Sequence, residues 1–196
     1  MSKQTDNFYN YFSFFYPLVD LFLKPQKHKL FQEINKLLPG QLLEIGVGNG
    51  SHLKLYKTHQ VTGIDTSFSM LDIAKKQKVD NIQLLQMNGE ELLFPDQTFD
   101  YVILSHVIAV VDDPEKVLAE VDRVLKPNGQ IFILNHFTPS NWLRHIDKAF
   151  QLVGKIFHFK SVFHINNLKV IKKFTLLKEI TFGQFSYFKL LIYKKA

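Results

Sequence analysis

The stretch LLEIGVGNG (42–50), with GID at 63–65, decides how this chain folds. QLLEI (41–45) is a short apolar run and reads as a buried first strand. Three glycines then alternate: Gly46, Gly48 and Gly50. Without Cβ atoms such a backbone turns tightly and lets a ligand lie against it. A helix is expected after the turn. VTGID (61–65) reads as a second strand, and Asp65 at its end stands 19 residues after Gly46. A carboxylate there can accept two hydrogen bonds from ribose hydroxyls. Strand, glycines, helix, strand and acid in that order mark a nucleoside site on a parallel sheet.

Working outward, apolar runs keep alternating with amphipathic ones, which is the pattern of an α/β domain. SFSMLDIAKKQK (67–78) predicts a helix capped by Ser67 or Thr66. IQLLQ (82–86) predicts a third strand and FDYVILS (99–105) a fourth. DPEKVLAEVDRVLK (113–126) predicts a helix with Pro114 in its first turn and Pro127-Asn128-Gly129 as its stop. QIFILNH (130–136) is the fifth strand. FTLLKEITF (174–182) and FSYFKLLIYK (185–194), split by Gly183-Gln184, predict a closing antiparallel hairpin.

The glycine spacing separates two ligand classes. A dinucleotide turn wants GxGxxG, which brings a helix N-terminus against a pyrophosphate. Here Ser51 stands where its last glycine would be, and Glu44 lies just before the turn. A carboxylate opposes a pyrophosphate but suits a ligand with an ammonium. S-adenosylmethionine carries an ammonium, a sulfonium and a ribose, and no phosphate.

Composition narrows the rest. The chain has 196 residues, 46% of them apolar and 21% charged, as a single globular domain would. It has no cysteine, hence no disulfide, thiolate nucleophile or cysteine-held metal. The eight histidines show no HxxxH or HExxH spacing, so no metal site is expected. No GxSxG elbow supports hydrolase chemistry. The start shows no secretory pattern, and a cytoplasmic protein is expected. The aromatic stretch 8–23 is 16 residues long and interrupted by Asn10, Ser13, Pro17 and Asp20, too short and polar for a membrane span. The formal charge of +6 is uneven: residues 138–196 hold 11 Lys and Arg against 2 Asp and Glu. Such a basic tail suits an anionic surface or is simply a solvated lysine face.

With those motifs in view, EIGVGNG, GIDTSFSML, MNGEELLFPDQTFDYVI and DDPEKVLAEVDRVLKPNGQ resemble the class I S-adenosylmethionine-dependent methyltransferases of the UbiE-like type, methyltransferase type 11. The resemblance covers about residues 40–136. It implies a Rossmann-like fold: a seven-stranded, mostly parallel sheet in the order 3-2-1-4-5-7-6, a C-terminal antiparallel hairpin, and helices on both faces. It also implies roles. Glu44, Gly46, Gly48 and Gly50 would hold the methionine end, and Asp65 the ribose. Thr66, Ser67 and Met70 would lie beside the adenosine, Asn88 and Gly89 at the adenine edge, and Ser105 with His106 at the methyl end; Glu90 is a further cofactor-side candidate, with a loop or helix-start carboxylate as its alternative reading. Asn88 departs from the family's usual Asp, and Asn49 from its usual Thr or Cys.

IGVGNGSHLKLY, HVIAVVDDPEKVLAEVDRV and FILNHF are further similar to small bacterial phosphatidylethanolamine N-methyltransferases, as is the pair Tyr9 and Tyr16. That similarity implies a phospholipid acceptor, an aromatic lid over residues 1–38, a cofactor core over 39–136, and substrate-side helices and hairpin over 137–196. Tyr9, Tyr16 and His136 become the substrate-side candidates, with peripheral contact on an anionic inner membrane and a monomer favoured. Other readings stay open: a quinone or small-metabolite methyltransferase, a non-catalytic S-adenosylmethionine binder, or a nucleic-acid binder using the basic tail. The last lacks any RRM, KH or zinc-knuckle signature.

Overall fold

The computed structural model describes residues 16–136, 165–182 and 188–196. Its strands are β1 (Gln41–Ile45), β2 (Gln60–Asp65), β3 (Ile82–Gln86), β4 (Phe99–Ser105), β5 (Leu125–His136), β6 (Phe174–Phe182) and β7 (Phe188–Lys195). They form one seven-stranded sheet in the order β3-β2-β1-β4-β5-β7-β6. The first five pair in parallel, and β7 runs antiparallel between β5 and β6. Helices α1 (Tyr16–Ile34), α2 (Phe68–Lys75) and α3 (Pro114–Val124) cover it.

The central strands β1, β4, β5 and β7 are buried on both faces because they are apolar at successive positions and alternate side chains go to opposite layers, whereas the edge strand β6 is mostly exposed. Leu43, Ile45, Val102, Leu104, Ile131, Ile133 and Leu191 pack with Val117, Leu118 and Val121 of α3. Their sequence neighbours Leu42, Ile103, Phe132, Leu134, Leu190 and Ile192 pack with Leu30, Phe31 and Ile34 of α1 and with Leu71 and Ala74 of α2. From β1 the chain winds first to β2 and β3, then crosses back to β4 on the other side. The connections therefore part above the carboxyl ends of β1 and β4, opening a crevice where such sheets bind ligands.

Local structure departs from the sequence expectation in three places. No α-helix follows the glycine turn; Leu53–Leu55 make one 3-10 turn instead. The nine residues 51–59 must run back along β1. Five strand residues span about 16 Å, whereas nine α-helical residues reach only about 14 Å and leave none for the turns. The helix expected to reach residue 126 stops at Val124, since Leu125 is already extended and pairs with Phe99. A register shift follows before Gln130 pairs with Tyr101, with Asn128 at φ 64° between them. The helix expected over 67–78 is shorter, Phe68–Lys75, with Ser67 as its cap. The hairpin turn at Gly183-Gln184, residues 137–164 and residues 1–15 lie outside the described residues.

Among the described residues of the basic tail, four lysines meet acids. Lys173 and Lys195 reach Asp122, Lys178 reaches Glu33, and Lys189 reaches Glu179. No helix among the described residues is long and apolar enough to cross a membrane.

Candidate functional site

The glycine loop leaves β1 with Gly46, Gly48 and Gly50 at φ +76°, +57° and +70°. The N–H groups of Gly46 and Val47 both donate to the carbonyl of Ile64, at 2.8 and 3.0 Å, which folds the loop over the end of β2. A Cβ on Gly46 would stand 2.2 Å from Val107 Cγ2, so this position needs glycine for space as well as for conformation.

Asp65 closes β2 directly opposite. Its Oδ2 accepts from Gly48 N at 2.8 Å and its Oδ1 from Ser67 N at 2.9 Å. Burial pushes its pKa up, against the pull of the N–H donors of Ser67, Gly48 and Thr66; the nearby Glu44 adds to the rise. A carboxylate offers about four acceptor sites, so Asp65 keeps capacity for a ligand after serving the loop. Ser67 caps α2 by accepting from Met70 N.

The opposite wall follows β3 and β4. Asn88 Oδ1 accepts from Glu90 N at 3.1 Å, and Glu90 Oε1 accepts from Asp113 N at 2.9 Å. Asp113 in turn caps α3 through Glu115 N and Lys116 N. Glu90 therefore fastens the wall to α3. At the end of β4 the Ser105 hydroxyl is buried with no hydrogen-bond partner among the described residues. His106 follows at φ 59°, its N–H donating to Leu134 O at 2.7 Å and its ring edge-on to Phe188 at 5.9 Å.

These elements enclose a cavity of about 300 Å³. Of the residues singled out from the sequence, Gly46, Gly48, Asp65, Thr66, Ser67, Met70, Asn88, Gly89, Glu90, Ser105 and His106 line it. Glu44 and Gly50 do not. Glu44 is buried behind the loop, taking a hydrogen bond from Tyr56 Oη at 2.7 Å and lying 2.7 Å from His52 Nε2. Burial alone would raise its pKa, but His52 and Tyr56 outweigh that and hold it below the ordinary range. Gly50 is packed, where a Cβ would meet Leu53 and Ala74 at under 3 Å. Tyr9 lies outside the described residues. Tyr16 opens α1 and His136 closes β5 in register with Phe188, their side chains likewise outside what is described.

Sequence reasoning missed Ile45, Met87, Val107, Val110, Val111 and Asp112 as lining residues. Met87 and Asp112 open quoted motifs, and that membership was their only signal. The valines of HVIAVV were part of a string that carried the family resemblance and had no role of their own. Among the described residues lining the cavity there is no Lys or Arg, while Asp65, Glu90 and Asp112 all contribute. Phosphate would meet carboxylates and no Lys or Arg there, whereas a cationic nucleoside would be welcomed.

Residues 43–133 match a family described as a methyltransferase domain. The chain is 44% identical over 106 residues to a phosphatidylethanolamine N-methyltransferase of Cereibacter sphaeroides, covering 50% of this chain and 51% of that protein. It is 36% identical over 103 residues to a demethylmenaquinone methyltransferase of Listeria welshimeri, covering 50% and 44%. The chain thus spans about half the length of the curated relatives it matches. Among solved structures it resembles an S-adenosylmethionine-dependent methyltransferase of Thermotoga maritima described as a possible histamine N-methyltransferase. That likeness has a TM-score of 0.73 at 22% identity, over 97% of this chain and 99% of the other, and it establishes the Rossmann-like fold.

Proposed function

We propose, from the premise that residues 43–133 are a methyltransferase domain, that this chain moves a methyl group from S-adenosylmethionine to an amine acceptor. The observation that carries this reading is the cavity itself. It joins a glycine loop, an acid at the end of β2 and a buried Ser105 hydroxyl unpartnered among the described residues, with acids and no Lys or Arg on its described lining. The residues fit the cofactor. Asp65 would accept from the ribose hydroxyls, Thr66, Ser67, Met70 and Met87 would flank the adenosine, and Asn88 and Gly89 would meet the base edge. Gly46 and Gly48 would let the amino-acid end lie on the backbone, and Ser105 and His106 would face the methyl end. Glu90 acts through Asp113 as a brace for that wall.

When bound, the cofactor supplies a methyl already activated by its sulfonium. The chain therefore has mainly to align and to exclude water, and positioning accounts for most of the acceleration. An amine must be neutral to attack, and His106, held by its backbone bond and by Phe188, would orient or take its proton. Tyr9, Tyr16 and His136 remain proposals for the acceptor side.

For the acceptor, the 44% identical relative supports the amino headgroup of phosphatidylethanolamine; contact with an anionic membrane surface through the aromatic stretch 8–23 is part of the same proposal. The demethylmenaquinone methyltransferase supports a quinone as the second reading. The test is expression in a bacterium rich in phosphatidylethanolamine and lacking phosphatidylcholine, followed by mass spectrometry of the lipid extract. Mono-, di- or trimethylated headgroups are expected. An unchanged phospholipid profile beside a newly methylated quinone would replace the first acceptor with the second.

A further inference from the structure

The glycine loop poses a mechanical problem. Three residues at positive φ within five positions give a turn that side chains do not stiffen, and glycine loses more backbone freedom on ordering than any other residue. Yet the loop must hold one shape for Gly46 and Gly48 to form a wall of the cavity. What closes it lies on the far side from the cavity. Glu44 precedes the loop and His52 follows it. The Glu44 carboxylate meets His52 Nε2 at 2.7 Å with one oxygen and Tyr56 Oη at 2.7 Å with the other. The two partners flank the 3-10 turn Leu53–Leu55, so one side chain ties the start of the loop to both ends of the turn that ends it.

The cluster is sealed from water. Glu44 is 1% exposed, His52 8% and Tyr56 4%. Phe31 of α1 lies 5.5 Å from the His52 ring and 4.8 Å edge-on from Tyr56. Val47, inside the loop, is buried in the same group with Phe31, Leu53 and Tyr56. A carboxylate so deeply buried persists only with such partners, and none of these three side chains lines the cavity.

We infer that Glu44, with Tyr56 and His52, is a positioning unit that holds the glycine loop in its binding shape from behind, and that it does not touch the cofactor's ammonium. The inference rests on the reading of the cavity as an S-adenosylmethionine site. The geometry also makes a distinction that an experiment can read. A ligand carboxylate would matter only to a nucleoside that carries the amino-acid end. A loop clamp matters to every nucleoside that lies on the loop.

Isothermal titration calorimetry on the full chain decides between them, using S-adenosylhomocysteine and 5′-methylthioadenosine, which lacks the amino-acid end. Glu44→Gln and Tyr56→Phe are each expected to weaken both nucleosides by the same factor, about tenfold for one lost bond to a charged group. Calorimetric stoichiometry counts the folded molecules, so a purely structural effect would lower the stoichiometry or the melting temperature and leave affinity unmoved. Tyr56→Phe keeps the ring against Phe31 and serves even if Glu44→Gln folds poorly. Glu44→Gln weakening only S-adenosylhomocysteine, or Tyr56→Phe leaving both affinities at the wild-type value, would overturn the inference. A wild-type chain that binds neither nucleoside would instead remove the cofactor reading on which it rests.

Discussion

Replacing Asp65 with Asn separates what that side chain does for the empty protein from what it does for a ligand. In the empty protein its two oxygens accept from Gly48 N and Ser67 N. Asn retains one carbonyl oxygen for one of them, and the other N–H faces the open cavity, where water can serve it. Against that loss stands the relief of a charge that burial disfavours, since the pKa of Asp65 is pushed above its ordinary 3.8. The sign follows from the raised value. The group's contribution to stability is fully present below pH 3.8 and is lost as pH rises through the folded-state pKa. At neutral pH the ionised side chain therefore costs stability, and removing the charge offsets the lost acceptor. Urea unfolding at pH 7 should show a net change below about 1 kcal/mol.

Ligand binding has no such compensation. Two ribose hydroxyls would exchange a charged acceptor for a neutral amide with one acceptor atom, a loss of about 2 kcal/mol or roughly thirtyfold in Kd. Calorimetry with S-adenosylhomocysteine reads this directly. In the wild type, affinity should hold near neutrality and fall as pH drops through the raised Asp65 pKa, because protonation removes acceptors; in Asp65→Asn it should stay flat over the same range. Unchanged affinity in the variant, or an identical acid dependence in both proteins, would refute the assignment of Asp65 to the ribose.

Gly46→Ala combines a positive φ with a 2.2 Å approach to Val107 Cγ2 and should destabilise the fold by about 2–5 kcal/mol in urea. Adding Val107→Ala should recover the steric part only, and no recovery would show that contact to be irrelevant. Glu33, with its pKa lowered to about 2 chiefly by Lys178 and further by Lys36, ties α1 to β6. Its contribution is present above pH 4.5 and lost as pH falls towards 2, so the stability gap between wild type and Glu33→Gln should close over that window; a gap constant with pH would remove the linkage.

QLLEI, the alternating glycines and Asp65 were legible because they are local. A buried parallel strand is an apolar run, a positive φ is glycine's own property, and an acid ending the next strand follows from chain order. The same holds for Ser67 as a helix cap. The strand order was a different matter. It came with the family resemblance, since periodicity does not say which strands are neighbours, and the sheet has the same order.

Tertiary structure alone decided where side chains at one end of a strand point. Glu44 carries the same charge wherever it faces, and the sequence suggested a ligand contact. His52 and Tyr56, 8 and 12 residues further on, draw it behind the loop. The 3-10 turn in place of a helix depended on the distance that nine residues must cover back along β1, which exists only once the sheet does. The valines of HVIAVV form a cavity wall because the loop after β4 meets the glycine loop through Val107, and an apolar residue bears no mark of whether it packs on protein or on ligand. Local backbone preferences are written in neighbouring residues, whereas the partner of a buried charge or an apolar wall is set by long-range packing.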